Sequence, residues 1–319
     1  MPGGNRHEAV SPGAHVSRRP VVNLAASIHR RLLNEARSTG RPFNELLQYY
    51  AMGRFMARLV QSRHADRLVL KGGLLMDAWS TTSTRPTVDI DFLGMVDNNP
   101  ATIEAIVRDI CSSEVEADGL VFSAEGALAD RITEDAEYQG VRMRFEARLG
   151  SALVPMQVDV GFGDVVFPGV DAVSLRPVLD FASVPVRAYT RESTIAEKLQ
   201  AMVKLGAINS RMNDFFDLWY LSSNFDFDGG TLAAAINATF EARGTAIPFE
   251  VTALSVGFAG SPEKQGQWAS FRRKSRLEEA PESFAEVVGQ IASFVAPVLG
   301  TLADGSSFHL NWIHPGPWA

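Results

Sequence analysis

Two aspartates one residue apart, Asp89 and Asp91, lie in the run Val88-Asp89-Ile90-Asp91-Phe92. The alternation predicts a strand with Val88, Ile90 and Phe92 on one face and both carboxylates on the other. Like charges placed this way repel, and they need solvent, hydrogen-bond donors or a cation between them. A divalent metal is an efficient answer. Mg²⁺, which takes one or two carboxylates together with substrate phosphates, suits Asp-x-Asp better than a transition metal does. A solvated strand edge could carry the same pair without any metal.

Two companions favour the metal. Asp159 lies in Met156-Gln157-Val158-Asp159-Val160, an acid flanked by apolar residues in the same way. If the two strands are neighbours, Asp89, Asp91 and Asp159 converge as a metal-holding set. Upstream, Lys71-Gly72-Gly73 precedes the pair by a short helix and a turn, and a backbone without side chains lets amides approach a phosphate closely.

The C-terminal half adds two candidates. In Thr194-Ile195-Ala196-Glu197-Lys198-Leu199 the buried stripe of a helix is Ile195, Leu199, Met202 and Val203, and Lys198 borders it. Lys198 is either a solvated lysine or a point charge for phosphate, and Glu197 reads as the return partner of a capping box begun by Thr194. In Arg211-Met212-Asn213-Asp214-Phe215-Phe216-Asp217-Leu218-Trp219, Asp214 and Asp217 share a packing side and need partners such as Arg211 or Lys198. The chain has no GxxxxGK[ST] loop, no HExxH, no GxSxG and no histidine spacing suited to zinc.

The elements that position these residues follow from periodicity. Ser27 is placed to cap a helix carrying Ile28, Leu32, Leu33 and Ala36, broken at Gly40 and Pro42. A second helix over Phe43 to Ser62 buries Met52, Phe55, Met56 and Leu59. A strand at Leu68-Val69-Leu70, a helix from Leu74 to Trp79, a turn at Thr81 to Thr84 and a helix from Pro100 to Cys111 come next. From Leu120 to Gly163 the period becomes two, with Val141, Met143 and Phe145 alternating against Arg142, Arg144 and Glu146. A connection containing Pro168, Pro177 and Pro185 leads past Thr190 into a helical half. This predicts an α+β chain: a disordered tail over residues 1–22, a sheet domain over 23–190 and a helical domain over 191–319.

Composition bounds the rest. At 319 residues, 46% hydrophobic and 21% charged, the chain is long enough for about two cores and suited to folding. Cys111 is the sole cysteine, so no internal disulfide or Cys-pair metal site can form, which fits a reducing compartment. Arginines at the N-terminus resemble a transit peptide, but the surrounding Pro and Gly suit a plain tail better. No apolar stretch approaches the roughly 18 to 20 residues of a membrane span, so the expectation is a cytoplasmic protein without a membrane partner. A net charge of −7 means that any polyanion must be met by a local patch. The densest run is Arg272-Arg273-Lys274-Ser275-Arg276, just after Trp268 and Phe271, although Glu278 and Glu279 could balance it as a solvated face.

Taken in order, Lys71-Gly72-Gly73, Arg85-Pro86-Thr87-Val88-Asp89-Ile90-Asp91, Val158-Asp159-Val160, Ile195-Ala196-Glu197-Lys198-Leu199 and Arg211 to Leu218 resemble the AbiEii/AbiGii nucleotidyltransferase toxins. These are the toxins of type IV toxin–antitoxin systems of abortive infection and phage defence, and the MenT toxins of mycobacteria belong to the same group. The resemblance runs from about Asn23 to the region of Trp268. It implies a nucleotidyltransferase domain followed by a helical domain, with Asp89, Asp91 and Asp159 on a two-metal Mg²⁺ site. It further implies Lys198 at the triphosphate of an NTP, Asp214 as an acid of the last motif, and Lys71, Gly72, Gly73, Arg85 and Thr87 around the nucleotide. The expected acceptor is RNA, tRNA above all, docked at Arg272, Arg273 and Lys274, and the expected partner is a cognate antitoxin. One departure is Asn213, where the resemblance calls for a lysine. Two rivals remain at this point: a glycosyltransferase that holds a nucleotide sugar through Asp-x-Asp, and a nucleotide-binding module without turnover.

Overall fold

A computed structural model describes residues 23–80, 85–135 and 138–319, with side chains outside 133–139. The tail over 1–22 and the turn at Thr81 to Thr84 lie outside the described residues.

Helix α1 (Leu24–Thr39) starts earlier than Ser27 because the Asn23 side chain accepts from the Ala26 amide at 3.0 Å and takes the cap itself. It ends at Gly40 with φ +71°. Helix α2 (Phe43–Gln61) buries the expected Met52, Phe55, Met56 and Leu59. Then come β1 (Leu68–Lys71), α3 (Gly72–Trp79), β2 (Asp89–Gly94) and α4 (Pro100–Ser112). Strands β3 (Leu120–Asp135), β4 (Tyr138–Leu149) and β5 (Ala152–Gly161) complete the segment read as period two.

The Pro-containing connection holds two strands that the prolines hid, β6 (Asp171–Leu175) and β7 (Val184–Ala188). Pro185 is tolerated because β7 meets β1 only at Ala188, opposite Leu70, so the proline lies beyond that ladder. The seven strands lie in the order β3-β4-β5-β2-β1-β7-β6. The β2–β5 and β1–β7 pairs are parallel, and the other neighbours are antiparallel.

Beyond Thr190 follow α5 (Arg191–Leu205), α6 (Met212–Asn224), β8 (Phe227–Asp228), α7 (Gly229–Ala242), α8 (Val256–Ala259), α9 (Pro262–Ser275), α10 (Phe284–Ala303) and β9 (Asn311–Trp312). Strands β8 and β9 form a small two-stranded antiparallel sheet of their own. One apolar core joins α1, α2 and α4 to the large sheet, and a second joins the helices from α5 onward. Helix α3 lies between them, with Leu75 in the first core and Met76 in the second.

Helix α10 corrects one expectation. At 20 residues and a mean hydropathy of 1.5 it is long and apolar enough to cross a membrane by length and composition alone. Its large side chains, including Phe284, Ile291, Phe294 and Val298, are buried in the second core, and the remaining face carries small residues together with Glu286 and Gln290. An internal core helix passes the same test as a span.

Candidate active site

Strand register brings the three acids together. Asp91 lies directly opposite Asp159 across the parallel β2–β5 pair, two residues along from Asp89 opposite Gln157. One carboxylate oxygen from each of Asp89, Asp91 and Asp159 lies within 4.8 Å of the others. The flanking Ile90, Phe92, Val158 and Val160 are buried on the opposite sheet face, so the core fixes the orientation of the acids. Thr87 Oγ1 donates to Asp89 Oδ1 at 2.6 Å and sets its rotamer. Burial first, then the charge of Asp89, pushes the Asp91 carboxyl up to about 7. The oxygen donors of the cluster suit a hard divalent cation.

Gly72 and Gly73 open α3 beside this cluster. Gly72 has φ +71°, and a Cβ there would meet Asp91 Oδ2 at 1.9 Å; a Cβ on Gly73 would meet Thr87 Oγ1 at 2.7 Å. Only glycine fits these two positions.

Cations wall the other side of a cavity of about 350 Å³. Lys198 Nζ on α5 reaches Asp214 Oδ1 at 2.7 Å and Asp217 Oδ2 at 2.9 Å. Arg85 grips both oxygens of Asp217 at 2.8 Å each. Burial works against the Asp217 charge, but Arg85 and Lys198 outweigh it and hold its pKa below the ordinary value. Burial also opposes the Lys198 ammonium, and Asp214 with Asp217 overcomes that and raises its pKa. Arg211, expected as a partner of these acids, lines the cavity together with Asn213.

Lys71 lies opposite Asp91 in register, yet its ammonium turns to Asp164 at 2.8 Å and Glu197 at 3.3 Å. Arg243 joins the same group, at 2.7 Å from Asp164 and 3.2 Å from Glu197. Glu197 is thus no capping-box partner. Thr190 caps α5 by accepting from Ser193, and Glu197 points into this ionic cluster, where Tyr189 also donates to it at 2.9 Å.

Asp164, Tyr189 and Arg243 were not foreseen, and neither was Arg142. Arg142 on β4 faces Asp159 and binds both its oxygens, at 2.8 and 2.6 Å. The alternation along Val141 to Glu146 places Arg142 on a non-core face, but nothing in the sequence says which acid it meets. Arg272, Arg273 and Lys274 close the last turn of α9. Arg273 and Lys274 are exposed, whereas Arg272 is half-buried, and its Nε has no partner among the described residues.

Two solved structures align along most of the chain. One, assigned as a nucleotidyltransferase from H. pylori, is 14% identical with a TM-score of 0.44, covering 82% of this chain and 98% of that one. The other, JHP933 from Helicobacter pylori, is 14% identical with a TM-score of 0.45, covering 80% and 95%. Both likenesses are distant, and nothing below rests on them. No curated protein sequence matches the chain. A profile of the nucleotidyl transferase AbiEii toxin of type IV toxin–antitoxin systems matches residues 54–290, well over half of the chain, a stretch that contains all three carboxylates and the cationic wall facing them. The chain belongs to the AbiEii nucleotidyltransferase toxin family, and it is a nucleotidyl-transfer enzyme.

Proposed function

We propose that this enzyme transfers a nucleotide from an NTP to the end of an RNA, of the tRNA class, using Mg²⁺ in the cytoplasm, and that a cognate antitoxin neutralises it. Residues 23–190 carry the carboxylates in this reading, and residues 191–319 supply the wall that meets the triphosphate. The observation that supports it is the convergence of Asp89, Asp91 and Asp159 within 4.8 Å at a cavity that Lys198 also lines. Family membership weighs against a nucleotide-sugar enzyme.

In the reaction, an acceptor hydroxyl oxygen bonds to the α-phosphorus, the hydroxyl gives up its proton to solvent, and the bond from that phosphorus to the pyrophosphate oxygen breaks, releasing pyrophosphate. Metal bound at the carboxylates supplies Lewis-acid stabilisation of the charge that builds on the phosphate oxygens. Asp89, Asp91 and Asp159 hold it, and Thr87 positions Asp89. Gly72 and Gly73 let the start of α3 come close to the phosphates. Two of the three N–H bonds of Lys198 are committed to Asp214 and Asp217, which leaves one for a β- or γ-phosphate oxygen. Arg85 acts by positioning Asp217, and Lys71 acts from its cluster with Asp164 and Glu197.

The test is incubation with each labelled NTP in turn, Mg²⁺ and total cellular RNA, followed by sizing of the product. Label in RNA of tRNA length, absent with Asp91→Asn, is the expected result. Label transferred from a nucleotide sugar but from no NTP, or binding of NTP without any transfer, overturns it.

A further inference from the structure

Asp159 differs from its two companions in one respect. Both of its carboxylate oxygens are held by the Arg142 guanidinium in a two-pronged pair, and Gln157 Nε2 adds a third bond at 3.2 Å. A fork of this kind matches a carboxylate in shape and is among the stronger ion-pair geometries. Arg142 reaches Asp159 straight across the β4–β5 ladder, and its charge is felt by Asp89 and Asp91 as well. Three of the roughly four lone-pair sites of Asp159 are taken by these bonds, so a cation that takes oxygens of all three acids competes with this pair. The guanidinium also lines the cavity that would take the triphosphate, so a phosphate oxygen there is a ready replacement anion.

We propose that Arg142 is an internal counter-ion that keeps Asp159 from a divalent cation until a nucleotide enters, and that metal and NTP therefore bind cooperatively through an exchange of partners. Asp159 passes from Arg142 to the metal as Arg142 passes from Asp159 to phosphate. No covalent bond changes. Arg142 is a positioning residue in this scheme: it acts on the metal through Asp159. The inference rests on the reading that the three carboxylates hold a divalent metal.

The neighbour Arg144 provides the internal control. It lies two residues along the same strand face, opposite Gln157, and pairs with Asp130 at 3.2 Å rather than with any of the three acids. A general loss of positive charge would act through Arg144 almost as well as through Arg142, whereas the proposed exchange is specific to Arg142.

The experiment is titration of the full chain with Mn²⁺, read by electron paramagnetic resonance of the free ion, with and without a non-hydrolysable NTP analogue. Wild type is expected to bind Mn²⁺ about ten-fold more tightly with the analogue present. Arg142→Gln should bind Mn²⁺ about ten-fold more tightly than wild type without the analogue and lose most of the analogue's enhancement. Arg142→Lys, which keeps the charge but not the fork, should fall between, and Arg144→Gln should match wild type. Mn²⁺ affinity unchanged in Arg142→Gln, or raised equally in Arg144→Gln, overturns the proposal. If wild type binds Mn²⁺ and Asp89→Asn abolishes that binding while Arg142→Gln changes nothing, the counter-ion role fails alone. If neither wild type nor Arg142→Gln binds Mn²⁺, the metal reading fails with it.

Discussion

Gly72 packs against the Asp91 carboxyl so closely that a methyl group on its α carbon would fall 1.9 Å from Oδ2. The backbone there is also left-handed, at φ +71°, which costs a residue with a Cβ about 1–2 kcal/mol. Gly72→Ala is therefore expected to displace Asp91, with a Tm drop of several degrees and a loss of transfer of at least about ten-fold. Gly266→Ala, on α9 with nothing near its would-be Cβ, should be neutral or mildly stabilising. Thermal melts and transfer assays of the two variants side by side check this.

Replacing Asp89 or Asp91 by Asn removes a ligand oxygen charge but leaves the strand's apolar face untouched. Transfer should fall by on the order of 10³-fold or more while the chain stays folded. Because the Asp91 carboxyl is already pushed up to about 7 by burial and by Asp89, Asp91→Asn should melt no lower than wild type in metal-free buffer. A melt several degrees lower would contradict the repulsion seen at this site.

Lys198, Asp214, Asp217 and Arg85 form one connected unit. Lys198→Ala should weaken NTP binding, and Asp214→Ala should weaken it less. The double variant should be no worse than Lys198→Ala alone, because the two substitutions remove the same pair. Asp217 is fully buried, so Asp217→Ala leaves Arg85 and Lys198 short of a partner and should cost about 3–5 kcal/mol of stability. Nucleotide titrations and denaturant melts separate these effects.

Asp118 gives the fold a pH dependence away from the active site. Its carboxylate is buried, and burial alone would raise its pKa, but hydrogen bonds from Arg58 at 2.6 Å and Arg54 at 2.8 Å more than reverse this. With the folded pKa below the ordinary 3.8, the stabilisation is full above that value and is lost as pH falls through the folded pKa. Acid unfolding of wild type should therefore steepen below about pH 4, and Asp118→Asn should flatten that limb while lowering stability at pH 7. Melts across a pH series measure both.

If the end of α9 docks RNA, Arg273 and Lys274 are its exposed charges. Replacing both by Gln should reduce the log–log salt slope of RNA binding by about 1 to 2 units and spare NTP affinity. Equal slopes would remove this turn from the RNA surface.

What the sequence made legible was whatever alternates or recurs. The facing of Asp89 and Asp91, the strand of Asp159, the stripe beside Lys198 and the shared side of Asp214 and Asp217 all came from period. Partners across the fold did not. Asp164 lies in the loop after β5 and Arg243 at the end of α7, positions with no period to read; Asp164 meets Lys71 within the sheet half, and Arg243 reaches Asp164 because the two cores abut. Strand β7 shows another kind of loss: Val184, Val186 and Ala188 do alternate, but Pro185 between them reads as linker unless the strand's position relative to the end of β1 is known.

The chain is made from its N-terminus, and the order in which the cavity's parts are synthesised has a consequence for a toxin. A ribosome that has reached residue 190 has finished all three carboxylates, Arg142 and both glycines. The nascent chain at that stage lacks Glu197, Lys198, Asp214, Asp217 and Arg243, so Arg85 is without the acid that holds it on the far wall and Lys71 has Asp164 alone. The carboxylates are thus in place more than fifty residues before the last charged member of the wall, Arg243, has been added. Until then the translating ribosome, itself built of the class of molecule this enzyme is proposed to modify, carries an incomplete form of it.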